Sequence, residues 1–305
     1  MNEMKFVVYG VEVHSPVILP VSISSKGISS QVLRLQTHHS NKKKKVFKYK
    51  TPVAEIHGRI TQLYTNIPFS SSRTLIERYW KINIEGLFSF VWGNASENMI
   101  IEYENELDLE KLSFWLLHTI VPIYLMLKQS SLLLHASVVE VNGKALLFVA
   151  PSFGGKSTLA DFFIREGHSL LSDDKVRLEH MDENYFVYPS YPYRRPYREF
   201  EMLGKHTKYF SDRPLALGSI YFLNYVEPKD DCSIESILGL HKFEILKNAY
   251  LYEPVSMSKI EMGYLMHLVK NSKVYQINMP KDLTRLSEVY DMILEHTRSD
   301  REFLL

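Results

Sequence analysis

The segment Ala150-Pro-Ser-Phe-Gly-Gly-Lys-Ser157 carries a glycine pair, a lysine and a serine in the order that a phosphate cradle requires. In such a loop successive backbone N–H groups and the following helix N-terminus point at an anion. The lysine adds a mobile positive charge, and the serine offers an oxygen to a metal. Gly154 and Gly155 permit close backbone approach, Lys156 reaches the β/γ-phosphates and Ser157 ligates Mg²⁺; Ser152, Phe153 and Thr158 complete the cradle. Ala150 stands where the usual pattern has glycine, a small replacement compatible with a negative φ at that position. ATP and Mg²⁺ are the cofactors this arrangement predicts.

Two carboxylates, Asp173 and Asp174, follow the run His168-Ser-Leu-Leu-Ser172. At the C-terminal end of a strand, on the ligand edge of a parallel sheet, one of them holds the metal or its water. The other accepts a proton from an attacking hydroxyl. A phosphate loop by itself fits a kinase, a nucleotide switch or a motor, and the acidic pair favours transfer over switching. Arg194, Arg195 and Arg198, in the Tyr/Pro/Arg-rich stretch from Tyr188 to Arg198, have the planar forked geometry to neutralise a transferring phosphoryl group or grip a peptide carboxylate.

These residues need a scaffold, and the surrounding pattern predicts one. Ala145 to Val149 is an apolar run of strand length, and Gly-Lys-Ser-Thr opens a helical pattern, giving strand, phosphate loop, helix. Further on, a strand is expected over Ser219 to Leu223, a surface loop over Glu227 to Ser233, and helices across Ile234 to Tyr250 and from about Ser258 to Val269. A short strand over Val274 to Ile277 and a last helix capped by Asp282 close the series. This alternation across 130 to 296 predicts a three-layer α/β domain.

Residues 1 to about 107 read differently. Phe6 to Tyr9, Val17 to Leu19, Val32 to Leu35, Val46 to Tyr49, Tyr79 to Ile84, Phe88 to Trp92 and Met99 to Tyr103 are short β-favouring runs separated by turn residues. Gly93-Asn94 marks a hairpin. Asp108 caps a buried helix from Leu109, which Pro122 should kink. The chain is therefore expected to hold a β-rich domain with a connecting helix over 1–129 and a catalytic α/β domain over 130–305. Lys42 to Lys45, Lys48 and Lys50 form a basic run, read as a solvated hairpin that resists edge pairing or as a docking surface for an anion.

Composition excludes some classes. A formal charge of +1 gives no global field for nucleic acid, and 45% hydrophobic with 23% charged residues marks an ordered globular chain. Leu112 to Leu127 is interrupted by Ser113, His118, Thr119 and Pro122 and falls short of the roughly 20 apolar residues of a membrane span. The single cysteine, Cys232, is expected as a reduced thiol. The first ten residues lack the features of a secretory signal, so a cytoplasmic location is expected.

The run from Leu134-His135-Ala136 through Gly155-Lys156-Ser157-Thr158 to Asp173-Asp174 resembles the catalytic domain of the bacterial HPr kinase/phosphorylases. A histidine lies 21 positions before the loop lysine, and the aspartates 17 and 18 after it. The resemblance implies a P-loop-containing HPr-kinase-like α/β fold. Asp173 would be the catalytic carboxylate, His135 a histidine beside it that orients or tunes it, and Asp174 a second aspartate near the metal and phosphates. The family's downstream glycine-rich signature with its Glu and Arg is absent, with Glu199 and Glu201 as candidate substitutes for the glutamate. That departure bears on reverse phosphorolysis and on HPr as substrate. The chain is also similar to the HPr-kinase-like proteins of lasso-peptide biosynthesis, through Val8 to Pro20, Leu134 to Ser137 and Tyr191-Pro-Tyr-Arg-Arg-Pro-Tyr197. This likeness implies phosphorylation of the C-terminal serine of a precursor peptide, with Arg195 near the transferred phosphate. It further implies a peptide partner, no nucleic acid or membrane partner, and self-association into a homo-oligomer.

Overall fold

The computed structural model describes residues 3–39, 47–69, 77–128, 131–194, 200–251 and 259–302. The chain forms two compact units, the first built from the residues up to 128 together with 200–204, the second from the remainder.

In the first unit, β1 (Met4–Val8), β2 (Val11–Ser15), β3 (Gln31–His39), β4 (Tyr49–Lys50), β5 (Ala54–Ile56), β6 (Arg59–Thr65), β7 (Tyr79–Ile84), β8 (Phe88–Gly93) and β9 (Asn98–Tyr103) form one sheet. Its order is β1-β2-β3-β9-β8-β7-β6-β4, with β5 also on β6. Pairing is antiparallel except where β3 lies parallel to β2 and β9. Turn chemistry sets the register. Tyr9-Gly10 and His57-Gly58 each hold two successive positive φ angles, the two-residue loop whose twist matches antiparallel strands. The expected hairpin at Gly93-Asn94 joins β8 to β9. No strand forms over Val17 to Leu19, where Leu19 is buried in a loop whose N–H donates to Met4 Sδ. Lys42 to Lys45 lie outside the described residues, and Lys48 and Lys50 are exposed at the β4 edge.

Asp108 caps α1 (Leu109–Trp115) by accepting the Lys111 N–H at 3.0 Å. The helix continues through a π turn (Leu116–Ile120) into α2 (Val121–Leu127). The kink expected at Pro122 takes this form for a physical reason. Proline has no N–H to give the carbonyl four residues back, and its ring crowds that carbonyl. The preceding turn widens instead, with Val121 N–H reaching Leu116 O. No helix among the described residues is long and apolar enough to cross a membrane.

In the second unit, β10 (Leu132–Leu134), β11 (Ala136–Val141), β12 (Lys144–Val149), α3 (Lys156–Arg165), β13 (Ser169–Asp173), β14 (Val176–Met181) and β15 (Asn184–Tyr188) come first. They are followed by β16 (Tyr193–Arg194), β17 (Lys205–His206), β18 (Leu215–Val226), β19 (Ser233–Ser236), α4 (Gly239–Ala249), α5 (Lys259–Asn271) and β20 (Val274–Pro280). A 3-10 turn, whose first N–H groups meet Asp282 as expected, leads into α6 (Leu286–Glu302). The sheet order is β10-β14-β15-β18-β12-β11-β13, with β20 on β18 and β19 on β20; β16 and β17 pair separately. The start of β18 pairs with β15, and its remainder lies parallel to both β12 and β20.

One face of this sheet is buried under α3 and α6. Leu159 and Phe163 of α3 and Leu286, Val289 and Ile293 of α6 pack on Phe148, Tyr221, Leu223 and Ile277. This apolar contact, on the order of 1.5–3 kcal/mol for each fully buried large side chain, fixes the helix that follows the glycine-containing loop 150–155. Two expectations change. The helix predicted from Ile234 begins only at Gly239, because Ser233–Ser236 adds to β20 as an antiparallel strand and puts Ile234 against the core. The strand that carries the aspartates, expected in a parallel sheet, pairs antiparallel with β11 and has no pairing with β12. β11 lies between them, antiparallel to both.

Candidate active site

The inserted β11 brings the chemistry together. Ala136 pairs with Val149 at the end of β12, and Ser137 pairs with Asp173 at the end of β13. The start of β11 and the ends of its two neighbours thus share one edge, where β12 runs into the loop. The N–H of Gly154 donates to Pro151 O at 3.0 Å, and Gly155, at φ +87°, caps α3. A Cβ on Gly154 would lie 2.6 Å from that of Ala150. Ala150 itself has no positive φ. Its methyl group therefore takes space that Gly154 leaves open, which explains why alanine replaces glycine there.

Lys156 is buried, and its ammonium donates to Ala150 O at 2.9 Å and Pro151 O at 3.1 Å. Ser157 Oγ donates to Asp173 Oδ1 at 2.8 Å, and the buried Ser137 Oγ donates to the same oxygen at 2.6 Å. Asp173 is thereby tied both to the loop and to β11. Asp174 leaves the strand at φ +89°, a left-handed conformation that non-glycine residues adopt at a cost and that recurs at functional sites. His135 Nδ1 lies 2.9 Å from Asp174 O and 3.1 Å from Asp174 Oδ1, while Lys175 Nζ stands 3.6 Å from Asp174 Oδ2. With two oxygens facing Nδ1, that nitrogen carries the hydrogen. The other ring nitrogen, Nε2, is buried without a hydrogen-bond partner among the described residues.

The two aspartates have different neighbours. His135 sits on Asp174, because Asp174 turns its carbonyl and carboxylate back toward the residue preceding β11. Ser157 meets Asp173, because Asp173 ends the strand facing the first turn of α3. Of the other cradle residues, Ser152, Phe153 and Thr158 are exposed. Arg195, with Arg198 and Glu199, lies outside the described residues, and Arg194 pairs with Asp161 of α3. Glu201 does not substitute for a site glutamate. It belongs to the first unit, where Arg59 donates to it at 2.8 and 2.7 Å and Trp115 Nε1 at 2.8 Å. Although burial acts to raise its pKa, these bonds hold the Glu201 carboxyl below its ordinary value.

Three residues escaped the sequence reading. Ser137 lies two positions after His135, a spacing that the strand period could have flagged. Lys175 directly follows the aspartates. Tyr225, at the end of β18, had no local signal; strand pairing alone puts its hydroxyl 2.4 Å from where a Cβ on Gly155 would stand. Burial raises the pKa of this phenol. Gly155→Ala is expected to cost roughly 1–3 kcal/mol from the left-handed φ alone, with the clash in addition. A second change, Tyr225→Phe, should restore only the steric part, which thermal melts of the two single variants and the double variant would resolve.

The donor set suits a phosphate and Mg²⁺. Ser157 and Asp173 present hard oxygens at the loop, and Mg²⁺ ordinarily takes one or two protein oxygens and completes its shell with phosphate and water. Among the described residues no three of His, Cys, Asp and Glu form a metal cage of their own.

No family model and no curated protein matches the chain. Among solved structures it is similar to the Hpr(Ser) kinase/phosphatase from Coxiella burnetii, at 13% identity and a TM-score of 0.34, over 56% of this chain and 98% of that one.

Proposed function

We propose that the protein is an ATP- and Mg²⁺-dependent kinase that phosphorylates a serine hydroxyl of a peptide. The observation that carries this reading is the division of labour between adjacent carboxylates. Asp173 is bonded to the loop serine, and Asp174 is held by His135 and Lys175. A nucleotide switch needs the first of these arrangements and has no use for the second.

When bound, MgATP supplies the electrophilic phosphoryl group and the metal charge that offsets its oxygens. Lys156 exchanges its two loop carbonyls for phosphate oxygens, and the backbone N–H groups at the start of α3 orient the chain of phosphates. Ser157 and Asp173 would hold Mg²⁺, whose charge would offset the phosphate oxygens. Asp174 takes the proton of the acceptor hydroxyl as its oxygen bonds to phosphorus and the bond to the leaving diphosphate breaks. Lys175 and His135 fix the orientation of that carboxylate, and Arg195 is proposed, from the sequence resemblance, to stabilise charge on the transferring oxygens. The acceptor proposed from the sequence resemblance is the C-terminal serine of a lasso-peptide precursor, and the chain is proposed to self-associate.

The test is incubation with γ-labelled ATP, Mg²⁺ and paired synthetic peptides ending in serine or alanine. Label on the serine peptide alone is the expected result. Release of inorganic phosphate with no labelled peptide would point to a regulatory nucleotide-binding module, and label on small metabolites to a small-molecule kinase.

A further inference from the structure

The carboxyl ends of β12 and β18 lie side by side, because the two strands run parallel and Val149 pairs with Phe222. β20 continues the parallel set, with Tyr225 opposite Met279 and Val226 opposite Pro280. Ligands of parallel sheets sit at this carboxyl edge. On one side of β12 the sheet continues into β11 and β13, and with them the acidic pair; on the other it continues into β18 and β20. A triphosphate lying on the loop with its γ end toward Asp173 and Asp174 therefore directs its α end, and the nucleoside attached there, toward β18 and β20.

Tyr225 stands at that place. Tyr221, Leu223 and Tyr225 alternate along β18 and so share one face of the sheet, the face that α3 covers. The first two are core residues beneath the helix, whereas Tyr225 is 40% exposed. Its hydroxyl reaches the glycine that caps α3. A Cβ on Gly155 would stand 2.4 Å from Tyr225 Oη and 3.3 Å from Cζ. Lys281, one residue past β20, holds its ammonium over the ring, 5.9 Å from its centre. The backbone beneath is tied too, since Lys281 N–H donates to Val226 O at 3.4 Å. The ring is thus held between the loop and a cation, at the end of a strand paired on both sides, and still offers aromatic surface to solvent. A ring so placed needs no rearrangement to receive a flat apolar group, and a nucleobase is the flat group that a phosphate chain on this loop brings with it.

We propose that Tyr225 seats the purine nucleoside of the nucleotide, its ring packing against the base while its hydroxyl stays on Gly155 and Lys281 steadies the ring. This inference rests on the nucleotide reading of the loop and adds to it the residue that distinguishes a nucleotide from a bare phosphate chain.

Calorimetric titration of the full chain with ATP, CTP and inorganic tripolyphosphate, each with Mg²⁺, tests it. Tripolyphosphate has the phosphate chain and no nucleoside. ATP is expected to bind roughly ten-fold or more tightly than tripolyphosphate, with CTP between them because a pyrimidine offers less ring area. In Tyr225→Leu the affinity for ATP should fall about five- to fifty-fold, to near the tripolyphosphate level, while that for tripolyphosphate stays within about two-fold. Tyr225→Phe keeps the ring and should hold ATP within about three-fold of the unsubstituted chain. A substitution that only disturbs the loop weakens both ligands alike, so the ratio of the two affinities is the readout. Four results would overturn the proposal and leave the nucleotide reading standing: a ratio unchanged in Tyr225→Leu, ATP no tighter than tripolyphosphate in the unsubstituted chain, CTP as tight as ATP, or Tyr225→Phe as weak as Tyr225→Leu. Binding of neither ATP nor tripolyphosphate would overturn both.

Discussion

Asp174→Asn is expected to slow peptide phosphorylation by about 10²–10⁴-fold, the usual contribution of a positioned general base, and to leave nucleotide affinity nearly unchanged. Asparagine keeps the shape of the side chain and the contact to His135 but cannot take a proton. Asp173→Asn should behave differently. Asp173 Oδ1 accepts from both Ser157 and Ser137, so its loss disturbs the loop and the metal side together. That variant is expected to weaken MgATP binding as well as turnover. Single-turnover kinetics with a fluorescent nucleotide separate the two outcomes. The assignment fails if Asp174→Asn phosphorylates peptide at the unsubstituted rate while Asp173→Asn retains full nucleotide affinity and loses only transfer. That outcome would restore the roles implied by the family resemblance.

Lys156→Ala should abolish measurable nucleotide binding at millimolar ATP, and residual transfer should fall by roughly 10²–10³-fold, as when one preorganised electrostatic donor is removed. The buried ammonium also has a structural duty, because it satisfies two loop carbonyls, Ala150 O and Pro151 O. Pro151 O keeps the Gly154 N–H, and losing the donor to the partly buried Ala150 O costs about 1 kcal/mol, so the variant should also melt slightly earlier. Lys156→Arg keeps a donor and the charge but is too broad for a compact ammonium site. It should recover stability more than binding. If Lys156→Ala binds MgATP normally in filter-binding or calorimetric assays, the loop is not a nucleotide cradle.

Much of this was readable from the residues. The strand before the loop, the helix after it and the acidic pair at the end of β13 follow from apolar run length and turn residues, and β7 and β8 coincide with their runs. The pairings were not readable. Which aspartate meets Ser157 depends on β11 lying between β12 and β13, and nothing local in the sequence states the order of strands in a sheet. The bond from His135 to Asp174 depends on a positive φ at Asp174, which the side-chain type does not announce. The strand formed by Ser233–Ser236 looked helical because Ile234 and Ile237 fit either period, and only the free edge of β20 decides between them. Glu201 looked like a candidate for the site by its place in the chain, but its carboxylate is engaged by Arg59 and Trp115 in the other unit.

β18 has a further consequence for cooperativity. Its segment from Ile220 to Phe222 is hydrogen-bonded on both sides, to β12 and to β20. Tyr225, near its end, stands against Gly155. A strand paired on both edges opens only when the whole sheet opens, so its amides exchange through global unfolding rather than local fraying. The loop before α3 therefore stands, through Tyr225, against the element that melts last.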